Sequence, residues 1–553
     1  MNALVVAVVT LAAYILAYRF YGRFISKRIL GLDNSRKTPA HEFEDGIDFL
    51  PTRPIILFGH HFASIAGLGP ILGPAIAVIW GWLPAVLWIL FGSIFIGCVH
   101  DLSTLFVSLR SRGRSIGEVT RSLVGSRAHI LFLLLIFFTL SLCMGTFVRV
   151  IATLFSEAFH PESVIPVASL IVLAVATGLL VYRKGANLAA TTLVALVLMI
   201  GSIWLGISHP VVGIGQTTWV YLLIAYAFIA SVLPVWLLLQ PRDYLNAYQL
   251  VIGMLLMYVG LFIFRPQISA PAVNTASEGL PPLFPFLFIT IACGAISGFH
   301  SLVSTGTTSK QIDREKDAVP IGFGGMLAEG LLAMVVVLAC TSGVSRSQWL
   351  DHYSSWEAAQ GLAAKMEAFV SGAGVFVSKT GIPLEIAMSF IVVMAVGFAM
   401  TTLDSGTRLL RYNLEELGEG LGIGILRNRY AASLAAAGGI CYFSLMTIGG
   451  RPAGLALWAL FGTTNQVLAS LGLLAVSLFL YRAGKPLRYT LVPMCGMMVM
   501  TGTAMGMKLK QNFEAGQWPL FVIGAAILIL VVWLIVESLI AFTRGPRGED
   551  DAR

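Results

Sequence analysis

The sequence predicts an all-α, polytopic membrane protein of about fifteen transmembrane helices. Three observations predict it. Of 553 residues, 57% are hydrophobic and only 12% are charged, about half the charged share of a soluble globular chain. Mean hydropathy is +0.84. Fifteen runs are apolar and near the length of about 20 residues that a bilayer core requires. A soluble globular body, a disordered chain and a disulfide-rich secreted domain are excluded by the same composition.

The predicted spans are 2–21, 60–80, 84–109, 129–156, 163–182, 187–207, 217–239, 247–265, 283–303, 319–341, 383–409, 429–448, 453–480, 487–507 and 518–541. The first has no basic stretch before it and no small-residue cleavage pattern after it, so it reads as an uncleaved helix with its N-terminus outside. An odd span count then places the C-terminus in the cytoplasm. On this map the inward loops and tail hold 28 Lys and Arg, the outward side holds 7, and Arg149 lies inside a span. That bias is the one positive-inside sorting produces. The net charge of +8 is accounted for by these loops, and no nucleic-acid partner is expected. The six cysteines lack CxxC spacing and read as small buried hydrophobes. Two loops are long. Residues 22–59 form a polar cytoplasmic segment, and 342–382 an outer connector with an amphipathic stretch, either solvated or a surface helix.

The segment from Phe58 to Ala77 is apolar enough to enter a bilayer, yet Gly67, Gly69, Pro70, Gly73 and Pro74 work against helix continuity. Backbone freed at membrane depth is tolerated only against protein or a water-filled cavity. A helix restarting there offers free N–H groups and a positive dipole end, a site for a carboxylate. Close packing of small residues is the competing explanation. A second, weaker interruption is expected at Ala230-Ser231-Val232-Leu233-Pro234. Interrupted spans two and seven lie five apart, the arithmetic of a five-plus-five inverted repeat over spans two to eleven. The chain then divides into 1–59 (first helix and cytoplasmic loop), 60–410 (transport core) and 411–553 (a four-helix extension). Ser64, Gly67, Gly69, Pro70, Gly73, Ser231 and Pro234 are the candidate substrate-binding residues.

Ionisable residues inside spans each cost about 2.5–3.5 kcal/mol at a helix centre, so a partner or a function is expected for each. His60, His61, His100, Asp101, His300 and Asp404 fall in one cytoplasmic-side layer of four spans. Ser93, Gly97, His100 and Thr104 share a helix face, as do Ser297, His300, Ser304 and Thr307, and Thr401, Asp404, Arg408 and Arg411. Histidine exchanges protons near neutral pH, so the layer is a candidate proton relay. A metal site is a rival use of the same side chains, but no metal-ligand spacing singles one out, and none is assigned. Arg149 and Glu329 are further buried ionisable candidates: Arg149 to attract an anion or pair with a carboxylate, Glu329 in mid-span. Asn465 and Gln466 read as links between helices.

The stretch Gly59-His60-His61-Phe62-Ala63-Ser64-Ile65-Ala66-Gly67, with Gly69-Pro70 and Gly73-Pro74, resembles the carbon starvation protein A family. Cys98-Val99-His100-Asp101, Gly298-Phe299-His300-Ser301 and Thr402-Leu403-Asp404-Ser405-Gly406-Thr407-Arg408 resemble further family blocks. The resemblance runs from the first span through the last. It implies uptake across the bacterial inner membrane when carbon runs short, with peptides or pyruvate as substrate and a proton gradient as energy source. It also implies a LeuT-like fold, in which spans two and nine flank the usual sodium site. Histidines there favour a proton. The expected partners are a carboxylate or peptide substrate, protons and the bilayer, and no cofactor. A passive channel and an intramembrane metal-dependent enzyme remain the alternatives. No P-loop is present, so ATP is not the direct driver.

Overall fold

In the computed structural model, which describes residues 1–46, 48–360, 362–448, 451–452 and 454–543, the chain is built from helices. In chain order these are α1 (Ala3–Leu30), α2 (Pro54–Ile65), α3 (Gly69–Ala77), α4 (Trp82–Arg110), α5 (Ser126–Leu154), α6 (Pro161–Val181), α7 (Leu188–Ser208), α8 (Gln216–Val232) and α9 (Leu239–Phe264). Then follow α10 (Leu283–Thr290), α11 (Gly298–Gly306), α12 (Glu315–Ser342), α13 (Leu362–Ser378), α14 (Leu384–Leu421), α15 (Arg429–Leu445), α16 (Gly454–Arg482), α17 (Arg488–Glu514) and α18 (Trp518–Thr543). The strands Thr447–Ile448 and Arg451–Pro452 pair antiparallel between α15 and α16.

Among the described residues, eleven helices are long and apolar enough to cross a bilayer, or twelve if the bent pair α2–α3 counts as one span. The other three of the expected fifteen runs do not form helices of that length. The expected spans 217–239 and 429–448 are the 17-residue helices α8 and α15, and 283–303 is two short helices separated by 291–297.

The expected interruption in 58–77 is present. α2 and α3 are bent 48° apart at 66–68. Gly69 and Pro70 start the second half, where Pro has no orphan N–H to leave unpaired. Gly73 and Pro74 lie inside α3, not at the break. The second interruption is not where the sequence placed it. α8 runs unbroken through Ser231 to Val232, and Pro234 sits exposed in the turn before α9. The broken pair is α10–α11, opened at Ile291–Ser297. The pairing of spans two and seven therefore loses its basis.

The two breaks are packed on each other through glycine. A Cβ on Gly69 would lie 2.3 Å from Cys293 Sγ, and one on Gly73 2.5 Å from the Thr290 carbonyl oxygen. The segment 342–382 is not a solvated connector. Phe369, Val370, Ala373 and Phe376 of α13 are fully buried, and α13 packs on α3, α9, α12 and α14. Small residues permit this approach: a Cβ on Gly372 would lie 2.2 Å from the Ala339 carbonyl oxygen. The stretch Leu460–Arg482 of α16 is almost wholly buried, and α16 packs on α4, α5, α11 and α17. The C-terminal tail 544–553 lies outside the described residues. Of the cysteines, Cys98, Cys143, Cys293 and Cys340 are buried, Cys441 is half-buried, and Cys495 is exposed rather than buried as expected.

Candidate functional site

α2 carries adjacent histidines to the threshold of the first break. His60 Nδ1 donates to Asp243 Oδ2 at 2.6 Å, and Ser64 Oγ donates to the same oxygen at 3.4 Å. His61 Nδ1 lies 2.9 Å from Thr308 Oγ1. Its ring packs on α12, where a Cβ on Gly325 would meet His61 Cδ2 at 3.2 Å. Ser64 also lies 3.5 Å from Ser405 Oγ of α14. Beyond it, Gly67 backs directly onto Thr402, whose Oγ1 would be 2.6 Å from an added Cβ. The Ile71 and Leu72 amides both return to the Leu68 carbonyl. A helix cannot bond its own first amides, so those of Leu68 and Gly69 are the ones left for a ligand.

A second polar chain crosses from α4 to α12. Asp101 accepts from His100 Nδ1 at 2.7 Å through one oxygen and from His300 Nδ1 at 2.8 Å through the other. His300 Nε2 lies 3.0 Å from Glu329 Oε2, an ion contact too oblique for a hydrogen bond. All four side chains are fully buried. With Nδ1 committed to Asp101, a bare Nε2 lone pair would face the Glu329 carboxylate. That contact is favourable only if a proton sits on one of the two groups.

A third cluster joins α8, α9 and α14. Asp404 accepts from Tyr226 Oη at 2.7 Å and is paired with Arg242. Asn246 donates to Thr401 Oγ1 at 2.6 Å, and Arg408 donates to the Ala230 carbonyl at 2.9 Å. Arg242 and Asp243 are wholly buried near the start of α9. Sequence reasoning missed both by treating 240–246 as a loop. Their signal was the stripe Arg242, Asn246 and Gln249, polar at helical spacing and entering an apolar run.

The structure thus gathers Ser64, Gly67, Gly69, Pro70 and Gly73 at or beside the first break. Ser231 is elsewhere: its hydroxyl donates to the Phe228 carbonyl and meets Ser433 of α15 at 3.0 Å. The segment 291–297 takes the facing position instead. Asn465 of α16 closes that second break, accepting from the Phe299 amide at 3.0 Å and donating to Ser297 Oγ at 3.0 Å. Gln466 donates to the Phe288 carbonyl at 2.7 Å. The expected single layer is divided: His100, Asp101 and His300 form one chain extended by Glu329, while His60 and Asp404 each pair with α9. Arg149 is half-buried, with no carboxylate within ion-pair distance among the described residues. Nor do the described residues group three His, Cys, Asp or Glu side chains in a way that could hold a metal.

The family described as Carbon starvation protein CstA matches residues 2–379 and 348–504. The peptide transporter CstA of Escherichia coli strain K12 is 34% identical, with 91% of this chain and 80% of that protein aligned. The peptide transporter CstA of Bacillus subtilis strain 168 is 32% identical over 89% of this chain and 87% of its own. The pyruvate/proton symporter BtsT of Escherichia coli strain K12 is 31% identical over 92% and 82%. Matched along most of its length by one family and by relatives above thirty per cent identity, the chain belongs to the carbon starvation protein CstA family.

Proposed function

We propose that this protein is a proton-coupled secondary transporter that imports a small carboxylate nutrient, pyruvate or a short peptide, across the bacterial inner membrane. The observation that carries this reading is the buried chain His100, Asp101, His300 and Glu329, whose last contact is favourable only with a proton on one of its two groups. Ionisable groups are costly in a bilayer and persist there where they do work. Relatives named as peptide transporters and as a pyruvate/proton symporter support the substrate class and the coupling ion.

The substrate is received at the α2–α3 break, where the amides of Leu68 and Gly69 and the hydroxyl of Ser64 are the polar groups open to it. Gly67, Pro70 and Gly73 keep the path of the backbone, and 291–297 lies opposite. Protons pass through His60, His61, His100, Asp101, His300, Glu329 and Asp404. A LeuT-like plan belongs to this reading, as does an outside N-terminus; α10–α11 supplies the second broken helix, seven spans after the first. The glycine contacts that close the two breaks on each other suit an occluded arrangement, from which rocking of one half opens the site to either side.

Uptake of labelled pyruvate and of a labelled dipeptide into proteoliposomes, with and without an imposed pH gradient, tests it. Accumulation of either one that depends on the gradient is expected. Equilibration without accumulation would establish a channel. Entry of neither would remove the transport reading.

A further inference from the structure

Arg242 is buried beside two carboxylates, yet only one arm of its guanidinium is satisfied. Nη1 pairs with Asp404 and reaches Tyr226. Nε and Nη2 have no partner, nor do the second oxygens Asp404 Oδ1 and Asp243 Oδ1. Thr402 Oγ1 is also unpartnered, and it is the atom against Gly67 at the first break. Leaving buried donors and acceptors open costs roughly 1–3 kcal/mol each, more when charged. A ligand that supplied both acceptors of a carboxylate would satisfy the free edge of the guanidinium bidentately, the geometry in which arginine binds best.

Charge decides what must accompany that ligand. The groups facing one another here are His60 of α2, Tyr226 of α8, Arg242 and Asp243 of α9, and Asp404 and Arg408 of α14. Arg408 is engaged by the carbonyls of Ala230 and Leu233 at the end of α8. His60 is held by Asp243. A carboxylate arriving at Arg242 while Asp404 remains ionised would bury an uncompensated negative charge, which costs several kcal/mol. One proton on Asp404 removes that charge and releases Nη1.

We propose that Arg242 is the receptor for the substrate carboxylate and that Asp404 is its exchangeable counter-ion, so that each carboxylate is admitted with one proton. This deepens the transporter reading and rests on it. No bond other than O–H is made or broken: the proton taken up by Asp404 on one side is given up on the other when the substrate leaves and the Arg242–Asp404 pair reforms. A monocarboxylate is then carried without net charge, whereas a zwitterionic dipeptide carries one positive charge inward.

The test uses the full chain in proteoliposomes, with labelled pyruvate and a labelled dipeptide, potassium and valinomycin setting the membrane potential independently of the pH gradient. For the wild type, pyruvate accumulation follows the pH gradient and ignores the potential, and dipeptide accumulation responds to both. In D404N, whose neutral side chain imitates the protonated acid, pyruvate counterflow persists with a KM that no longer depends on pH, and gradient-driven accumulation is lost. R242Q/D404N removes both charges and keeps the core electrically balanced. It folds, as thermal unfolding reports, but its KM for pyruvate counterflow rises roughly thirtyfold or more. Pyruvate uptake that follows the potential, gradient-driven accumulation by D404N, or a wild-type KM in R242Q/D404N overturns the inference while leaving a proton-coupled transporter standing. Failure of the wild type to transport either compound overturns both.

Discussion

Gly69 and Cys293 meet where two interrupted helices cross: a Cβ on Gly69 would come within 2.3 Å of the Cys293 sulfur and 2.5 Å of its Cβ. Neither break is therefore a passive kink, since each is shaped to receive the other. Gly69→Ala forces the two segments apart, and overpacking of this kind costs about 1–3 kcal/mol. A lower thermal midpoint and slower transport are expected. Gly69→Ala with Cys293→Gly exchanges the excess volume and restores part of both. A midpoint for Gly69→Ala equal to that of the wild type would show that the contact is not maintained in the folded protein.

The contact between His300 and Glu329 predicts a separation of coupling from binding. Glu329→Gln removes the acid but keeps the shape. Gradient-driven accumulation falls, and counterflow continues, because only the acid is removed and the contact's shape is kept. His300→Ala and His61→Ala also lose accumulation while exchange partly survives. Unchanged accumulation in all three variants, measured in proteoliposomes, would remove the relay.

His160 lies in the connection between α5 and α6, with Nδ1 2.9 Å from Glu162 and Nε2 3.3 Å from Glu367 of α13. Burial opposes its protonation, but the two carboxylates outweigh burial and raise its pKa from 6.5 to about 9. The imidazolium is thus bound more tightly in the folded state. The clamp contributes fully below about pH 6.5 and is lost as pH rises through about 9. Allowing for the solvent that reaches Glu367, its worth is on the order of 1–2 kcal/mol. The difference in thermal midpoint between wild type and His160→Gln is expected to shrink over that interval. A difference that stays constant with pH would show the clamp to be uncharged.

Asn465 gives α11 the cap that its own N-cap residue, Ser297, does not make, through the Phe299 amide. Asn465→Ala leaves that amide and Ser297 without their partner. A loss of about 1 kcal/mol, within the 0.5–2 kcal/mol typical of a lost cap, is expected in thermal unfolding. Because the second break is held from α16, transport falls with it. Full activity in Asn465→Ala would place the C-terminal helices outside the working core.

What the sequence by itself determined was what composition and one-dimensional order can express. The apolar runs dictated a helical membrane protein, because backbone in lipid must satisfy its own hydrogen bonds. Gly69-Pro70 dictated a broken helix at 66–68, because proline and glycine act on the backbone wherever the fold places them. His60, His61, His100, Asp101, His300, Glu329 and Asp404 were legible one by one, and Asp243 was not. Nor was their pairing. Nothing in the order of residues joins His60 to Asp243, 183 positions away, or Arg242 to Asp404, 162 positions away. Those contacts were decided by which helix faces pack together. The same reason explains the misplaced second break. Pro234 is a stronger breaker in sequence than Ile291–Ser297, yet it only ends a helix. The segment 291–297 opens in mid-core because α4 takes up its backbone: Trp88 Nε1 donates to the Ile291 carbonyl at 3.0 Å and Ser93 Oγ to the Gly294 carbonyl at 3.1 Å. Tertiary partners, contributed by distant parts of the chain, determine where an unwound segment can be tolerated.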